Sequence, residues 1–305
     1  VDPIEKKPLN HFLPGSATFS FGTAGCNLAC RFCQNWDISK SKEIDTLAAE
    51  ATPETIARTA VELECRSVAF TYNDPTIFLE YAIDVAEECH ARGLRTVAVT
   101  AGYICPEPRA DFFRHVDAAN VDLKGFTEDF YRHSCGAELG AVLDTLAYLH
   151  ETDVWVELTT LLIPGLNDST AELDAMTSWV VDHLGPDVPM HFTAFHPDYR
   201  MTDRPPTPPE TLTRARSIAM GNGVRYAYTG NVHDGAGQST FCHTCGARVI
   251  ERDWYRIGRY ALDDRGHCGP CGATVPGIFD GPRGEWDASR RPVVLRSPPI
   301  TETLP

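Results

Sequence analysis

Between Ala17 and Tyr228, short apolar runs alternate with stretches of helical period, and this rhythm constrains the fold more than any other feature of the 305 residues. Strands are expected over 17–22, 67–72, 95–100, 120–123, 154–163, 190–195 and 224–228. Helices are expected between them, over 53–63, 76–92, 108–115, 140–151, 170–184 and 208–220. Thr52-Pro53 supplies an N-cap and a first helical residue, and Gly93 a stop. Strands separated by helices at this spacing build parallel βα units. Six units are too few to close an eight-stranded barrel, which leaves an open partial barrel or a doubly wound flat sheet. Either fold gathers its ligands at the carboxyl ends of the strands, so the residues that follow each strand carry the functional reading.

After the first expected strand comes Gly25-Cys26-Asn27-Leu28-Ala29-Cys30-Arg31-Phe32-Cys33-Gln34-Asn35-Trp36. Three thiols fall within eight residues. A cubic iron–sulfur cluster usually takes four thiolates, so three clustered ligands leave one iron open to a small molecule. A disulfide staple suits small secreted domains instead, and a zinc site needs a fourth ligand nearby.

This spacing resembles that of the radical S-adenosylmethionine (SAM) superfamily, and Cys-Asn-Leu-x-Cys-x-Phe-Cys-Gln-Asn resembles its glycyl-radical activase branch. The resemblance implies a 4Fe-4S cluster on Cys26, Cys30 and Cys33, with SAM chelated to the open iron. Reductive cleavage then gives a 5′-deoxyadenosyl radical that abstracts hydrogen from a protein, peptide or small-molecule substrate. It also implies an α/β fold of the partial (β/α)6 TIM-like type. Phe32 stands where the superfamily places an aromatic residue against the adenine. Asn73 and Asp74, in Thr71-Tyr72-Asn73-Asp74-Pro75, replace the second glycine and the glutamate of a Gly-Gly-Glu-Pro motif whose backbone and acid receive the SAM ammonium. An aspartate still accepts such a bond, and Asn-Asp-Pro is also an ordinary turn. Thr100 and the pair Asp122 and Lys124 resemble the Thr-Asn-Gly and Asp-x-Lys of pyruvate formate-lyase activating enzyme, which implies that Lys124 meets the SAM carboxylate. Val99 stands where that enzyme's monovalent-cation site has an aspartate, and Thr159 or Thr160 where it has an arginine. His196 matches a Tyr-His whose imidazole touches the ribose.

From about Asp2 to Gly277, motifs such as Leu162-Ile163-Pro164-Gly165-Leu166-Asn167-Asp168 and Phe195-His196-Pro197-Asp198-Tyr199 resemble the AmmeMemoRadiSam system radical SAM enzymes. That resemblance implies Memo-like and AMMECR-type partners and fixes no substrate. A flavodoxin or ferredoxin-type electron donor is implied as well.

Cys242-His243-Thr244-Cys245-Gly246 and Cys268-Gly269-Pro270-Cys271-Gly272 form a second cysteine set. Two such knuckles make the four-thiolate site of a small C-terminal zinc-ribbon or rubredoxin-like module. Zinc is the first expectation; iron or a second Fe-S cluster also suits soft thiolates. His243 and His267 are spare. Of the remaining cysteines, Cys65 and Cys89 read as buried small hydrophobes. Cys105 and Cys135 follow strands on the ligand side and are the candidates for a catalytic thiol.

The expected organisation is a barrel over 1–229, a linker over 230–240 within a Gly- and Ser-rich stretch, the metal ribbon over 241–277 and an extended tail over 278–305. A net charge of −15 argues against a general nucleic-acid or anionic-membrane surface. Eleven cysteines, seven of them in tight motifs, suggest metal ligation in a reducing cytoplasm, and no apolar run is long enough to cross a membrane. The reading is therefore an oxidoreductase of the glycyl-radical-activating kind. A non-catalytic iron–sulfur or zinc redox sensor is the alternative.

Overall fold

The computed structural model describes residues 1–40 and 50–295. Its main sheet has eight strands in sequence order: β1 (Asp2–Pro3), β2 (Ala17–Phe21), β3 (Ser67–Phe70), β4 (Arg95–Thr100), β5 (Ala118–Asp122), β6 (Trp155–Leu162), β7 (Met190–Ala194) and β8 (Ala227–Gly230). β1 pairs antiparallel with β2; from β2 to β8 every pairing is parallel. This is the half-barrel expected, with six βα units and a closing strand. After α1 (Trp36–Ser39), the helices on its outer face are α2 (Pro53–Glu62), α3 (Leu79–His90), α4 (Pro106–Phe113), α5 (Leu139–His150), α6 (Thr170–Leu184) and α7 (Pro209–Gly221). Thr52 caps α2 by accepting from the Thr55 amide. The chain leaves α3 through Gly93 at φ +74°. α4 begins two residues before the expected start because Pro106 suits a first turn, where no amide donor is needed. The last strand lies later than expected, since Val224 closes the end of α7 by bonding to Ala219 O.

Strand alternation decides which side chains see the lumen. Val156, Leu158, Phe192 and Ala194 pack outward into the large apolar core beneath the helices. Thr159, Leu161, His191 and Thr193, their neighbours on the opposite face, line the interior cavity. Residues 4–14 plug the amino end of the barrel. Ile4, Leu9, Phe12 and Leu13 are buried against Ala69, Val97 and Ala118, each contributing roughly 1.5–3 kcal/mol through burial. Glu157 latches the plug. It accepts the amides of Asn10 (2.9 Å) and His11 (2.7 Å), the Trp155 indole (3.1 Å) and His191 Nε2 (2.7 Å).

A second, three-stranded antiparallel sheet follows, from β9 (Thr240–Phe241), β10 (Arg248–Asp253) and β11 (Arg256–Tyr260). The stretch read as a linker is built rather than open. It includes a helical turn, Gly235–Gln238, capped by Asp234, and Gln238, Ser239 and Thr240 are buried. Tyr226 and Tyr228 share one apolar cluster with Cys242, Val249, Cys268 and Phe279. Beyond 277 the chain has no regular element among the described residues, yet it is tied to the plug. Leu13 N donates to Ile278 O (2.8 Å), Ile278 N to His11 O (2.8 Å) and Gly284 N to Pro14 O (2.9 Å). Among the described residues no helix is long and apolar enough to cross a membrane.

Candidate active site and metal centre

One cavity of about 560 Å³ runs through the barrel. It brings together Cys26, Cys30, Cys33, Phe32, Asn73, Asp74, Thr100, Asp122 and Lys124, which the sequence scatters over four strand ends. His196 is exposed and outside the lining, as is Cys105, which sits at the N-cap of α4.

The cysteine loop is held from two sides. Asn73 Nδ2 donates to Thr23 O (2.7 Å) and Gly25 O (2.8 Å). With its amide spent on the loop, Asn73 Oδ1 is a buried acceptor without a donor. Gly22 lies so close that a Cβ there would meet Asn73 Oδ1 at 2.5 Å. From the other side, a single π-helical turn, Tyr131–Cys135, offers carbonyls to the loop. Ala29 N donates to Cys135 O (2.8 Å) and Arg31 N to Ser134 O (2.9 Å). Gly136, at φ +68°, ends that turn where a Cβ would stand 3.0 Å from the Ala29 methyl. The sulfurs themselves are engaged: Leu28 N donates to Cys26 Sγ at 3.5 Å, and Cys33 Sγ shares a hydrogen bond with Ser39 Oγ at 3.1 Å. The Cys135 thiol lies against Cys30, and its hydrogen bond holds the Cys30 thiol down. Lys124 adds its charge in the same sense.

Asp74 has two jobs. Its carboxylate accepts the Thr76 amide (3.0 Å) and hydroxyl (2.6 Å), capping a short 3₁₀ turn. It also accepts from Thr100 Oγ1 (3.0 Å) and the Ala101 amide (2.7 Å). The loops after β3 and β4 are thereby joined under the cavity. Lys124 Nζ donates to Asp122 Oδ2 at 2.7 Å. Burial opposes its charge, yet Asp122 and the Cys30 and Cys135 thiols push its pKa well up. Asn167 explains the Pro-Gly-Leu-Asn motif: its side chain donates to Lys124 O (2.7 Å) and accepts from Ile163 N (2.7 Å), fixing the loop that presents Lys124. Of the two threonines at the family's arginine position, Thr160 donates outward to Leu123 O (2.8 Å). Thr159 faces the cavity with an unpartnered hydroxyl.

Sequence reasoning missed the lower half of the cavity, where Glu5, Lys6, Lys7, Asn10, His191 and Arg252 stand. Tyr72 takes the left-handed conformation (φ 73°), uncommon for an aromatic residue. Its hydroxyl donates to Asp2 Oδ2 (2.6 Å), and Lys7 Nζ lies 4.8 Å from its ring centre. Only the out-of-place tyrosine in Tyr-Asn-Asp-Pro hinted at this.

These residues fit the cofactors implied. The sulfurs of Cys26, Cys30 and Cys33 do not close within 4.8 Å of one another as ligands of a single ion would, and a cubane would interpose its own irons and sulfides between the thiolates. Asn73 Oδ1 and Lys124 Nζ offer an acceptor and a cation for the amino and carboxylate ends of an amino acid.

The second metal centre is of the closed kind. Cys242, Cys245, Cys268 and Cys271 present sulfurs within 4.8 Å of one another, the only such set among the described residues. Cys242–Cys271 and Cys245–Cys268 sulfurs are both 3.7 Å apart, against the about 3.8 Å that a tetrahedron of 2.3 Å Zn–S bonds requires. The two knuckles repeat one design. Gly246 N donates to Cys242 O (2.9 Å) and Gly272 N to Cys268 O (2.7 Å), with both glycines at positive φ. Burial opposes ionisation of Cys242, but the amides of Cys245 and Thr244 bring its pKa to about 7. The spare histidines are engaged elsewhere: His243 Nδ1 with the Tyr226 hydroxyl (2.8 Å), His267 Nδ1 with Asp263 (2.8 Å).

Comparison with known proteins matches residues 21–176 to the Radical SAM superfamily. An uncharacterized protein of Methanocaldococcus jannaschii is 41% identical over 276 residues, covering 90% of this chain and 82% of the relative. The pyruvate formate-lyase-activating enzyme of Clostridium pasteurianum is 27% identical over 161 residues, 51% of this chain and 66% of that enzyme, just under two thirds of its length. The crystal structure of Streptococcus suis SuiB bound to S-adenosylmethionine superposes with a TM-score of 0.58 at 11% identity. That match covers 75% of this chain and about half (53%) of SuiB, and it bears on the fold alone.

Proposed function

This chain belongs to the radical SAM superfamily, and we propose on that basis that it abstracts hydrogen from its substrate in the manner of the glycyl-radical activating enzymes. The superfamily's 4Fe-4S cluster and SAM supply the 5′-deoxyadenosyl radical. Cys26, Cys30 and Cys33 hold the cluster. Asn73 and the turn organised by Asp74 and Thr100 receive the SAM ammonium, Lys124 steered by Asp122 receives its carboxylate, and Phe32 covers the adenine. The buried cavity walls exclude water from the radical. Zinc in the C-terminal module, a flavodoxin or ferredoxin-type donor, and membership of the AmmeMemoRadiSam group with its Memo-like partners complete the reading.

The observation that carries it is the one cavity in which three cysteines meet an orphaned buried acceptor and a half-buried lysine. The activating-enzyme relative supports the activase-like branch. Dithionite-reduced, anaerobically reconstituted protein should convert SAM to methionine and 5′-deoxyadenosine. A protein with a full cluster that leaves SAM intact sinks the proposal.

A further inference from the structure

Arg252 comes from β10 of the four-cysteine module, yet its side chain lines the barrel cavity. It is 2% exposed, among the largest fully buried side chains. Two of its five N–H donors are spent: one guanidinium nitrogen on Thr240 Oγ1 (2.7 Å), the other on Asn10 O (2.7 Å). Its Nε meets no acceptor, and no carboxylate lies within 4 Å of it among the described residues. A buried cation without a counter-ion is costly and is normally paired.

The carboxylates nearby do not sit on the guanidinium. Burial opposes ionisation of Glu157, but His191 holds its pKa down, and its oxygens are spent on the amides of Asn10 and His11, the Trp155 indole and His191. Burial pushes the nearby Glu5 carboxyl up, toward its neutral form, and leaves Glu5 Oε2 without a donor. Lys7, paired with Asp2 at 2.7 Å, is still pulled down to about 8: burial is the main cause, and Lys6 and Arg290 add to it. Lys6, Lys7, Arg252 and Arg290 all line the cavity of a protein whose net charge is −15, and Lys6 (3.2 Å) and Lys7 share the single counter-ion Asp2. Two acids of the same lining, Asp74 and Asp122, are committed to Thr100, Ala101 and Lys124.

We propose that Arg252 is the centre of an anion subsite in this cavity, with Lys6, Lys7 and Arg290 as further cations on its walls, and that the substrate is a small molecule bearing a carboxylate or phosphate. Charge-assisted bonds from a guanidinium fork suit either group. The subsite and the cysteine loop line the same cavity, so an anchored anion would leave the rest of the molecule in the space shared with the SAM end. The proposal deepens the radical SAM reading and rests on it for which end of the cavity is reactive. It also gives the four-cysteine module a place in substrate binding, because Arg252 is on its central strand.

The test is calorimetric titration of inorganic phosphate and of malonate into the holoprotein, oxidised and saturated with SAM, in low-chloride buffer. Saturation with SAM keeps Lys124 from reporting the anion. The wild type should bind at least one of the two saturably. Phosphate alone points to a phosphorylated substrate, malonate alone to a carboxylic acid, and both to a shared oxyanion site. Arg252→Gln should weaken binding roughly tenfold or more, while Arg252→Lys, which keeps the charge, should recover part of the loss. A mere structural staple would not track charge in this way. Should Arg252→Gln not fold, Arg290→Gln decides, because Arg290 is exposed at the rim and its loss should weaken the same titration. No saturable heat with either anion overturns the proposal, as does equal affinity in the wild type and every folded variant. SAM cleavage by the wild type, assayed separately, reports on the radical SAM reading alone.

Discussion

Cys26, Cys30 and Cys33 sit on a loop that keeps its sulfurs apart and turned to a cavity, whereas Cys242, Cys245, Cys268 and Cys271 close within 4.8 Å of one another. The first loop is stapled from outside, by Asn73 and by the carbonyls of Ser134 and Cys135. The second set is organised from within, by knuckle glycines that return amides to the cysteine carbonyls. Open ligand sets belong to reactive centres and closed sets to structural ones. The difference lies less in residue type than in whether the backbone around each thiol leaves a position free.

The sharpest way to break this contrast is to remove one ligand from each set. Replacing Cys26, Cys30 or Cys33 with Ala should abolish the 4Fe-4S spectrum and SAM cleavage while the module keeps its metal. Full cleavage by a triple-Ala variant would leave the loop without its assigned role. Cys268→Ala should release the module's metal, and because a structural zinc contributes on the order of 10 kcal/mol of apparent binding energy, it should lower the melting temperature markedly. Metal analysis of anaerobically purified wild type should find one zinc beside about four irons per chain. About eight irons and no zinc would make both sets reactive and erase the distinction.

A smaller effect is expected at the SAM end. Asp74→Ala should weaken SAM binding roughly tenfold, because the turn that receives the ammonium loses the bonds from Thr100 and Ala101 that hold it in place. It should leave iron content intact, since Asp74 organises Thr100 and Ala101 rather than the cysteine loop. An unchanged dissociation constant would reduce the motif to a turn.

The gentlest probe addresses the seam between the two regions. His11 is fully buried; its Nδ1 faces Pro276 O (2.6 Å) and its Nε2 the Tyr228 hydroxyl (2.6 Å), with Glu157, Arg252 and His191 close by. Burial holds its pKa down to about 4. The unfolded chain therefore binds a proton that the native one refuses, and stability is lost as pH falls from about 6.5 toward 4, on the order of 3 kcal/mol. Denaturant titrations of wild type and His11→Asn across that window should show a shallower acid slope in the variant. Equal slopes would locate the acid sensitivity elsewhere.

The upper site was legible because each piece lies next to a strand end in sequence. The Cys-x-x-x-Cys-x-x-Cys spacing, the Asp122–Lys124 pair and each Cys-x-x-Cys-Gly knuckle are local patterns that can be read within a few residues. The lower site was illegible because its contacts span the chain: Arg252 meets Asn10 across 242 positions, and Tyr72 meets Asp2 across 70. No periodicity announces such pairs. Gly and Ser content suggested an open connection at 229–240, but the Asp234 cap and the burial of Gln238, Ser239 and Thr240 come from packing against β8 and β10. His196 followed a strand as expected, yet the chain turns it outward.

The plug that seals the barrel carries a consequence for synthesis. Residues 4–14 leave the ribosome well before three of the groups that fasten them, Arg252, Ile278 and Gly284. Contacts of such sequence separation form slowly and late. During translation, the cysteine loop and the strand ends around it can assemble while the opposite end of the barrel stands open. Only when the stretch from Arg252 to Gly284 emerges can the nascent chain fasten the plug from below.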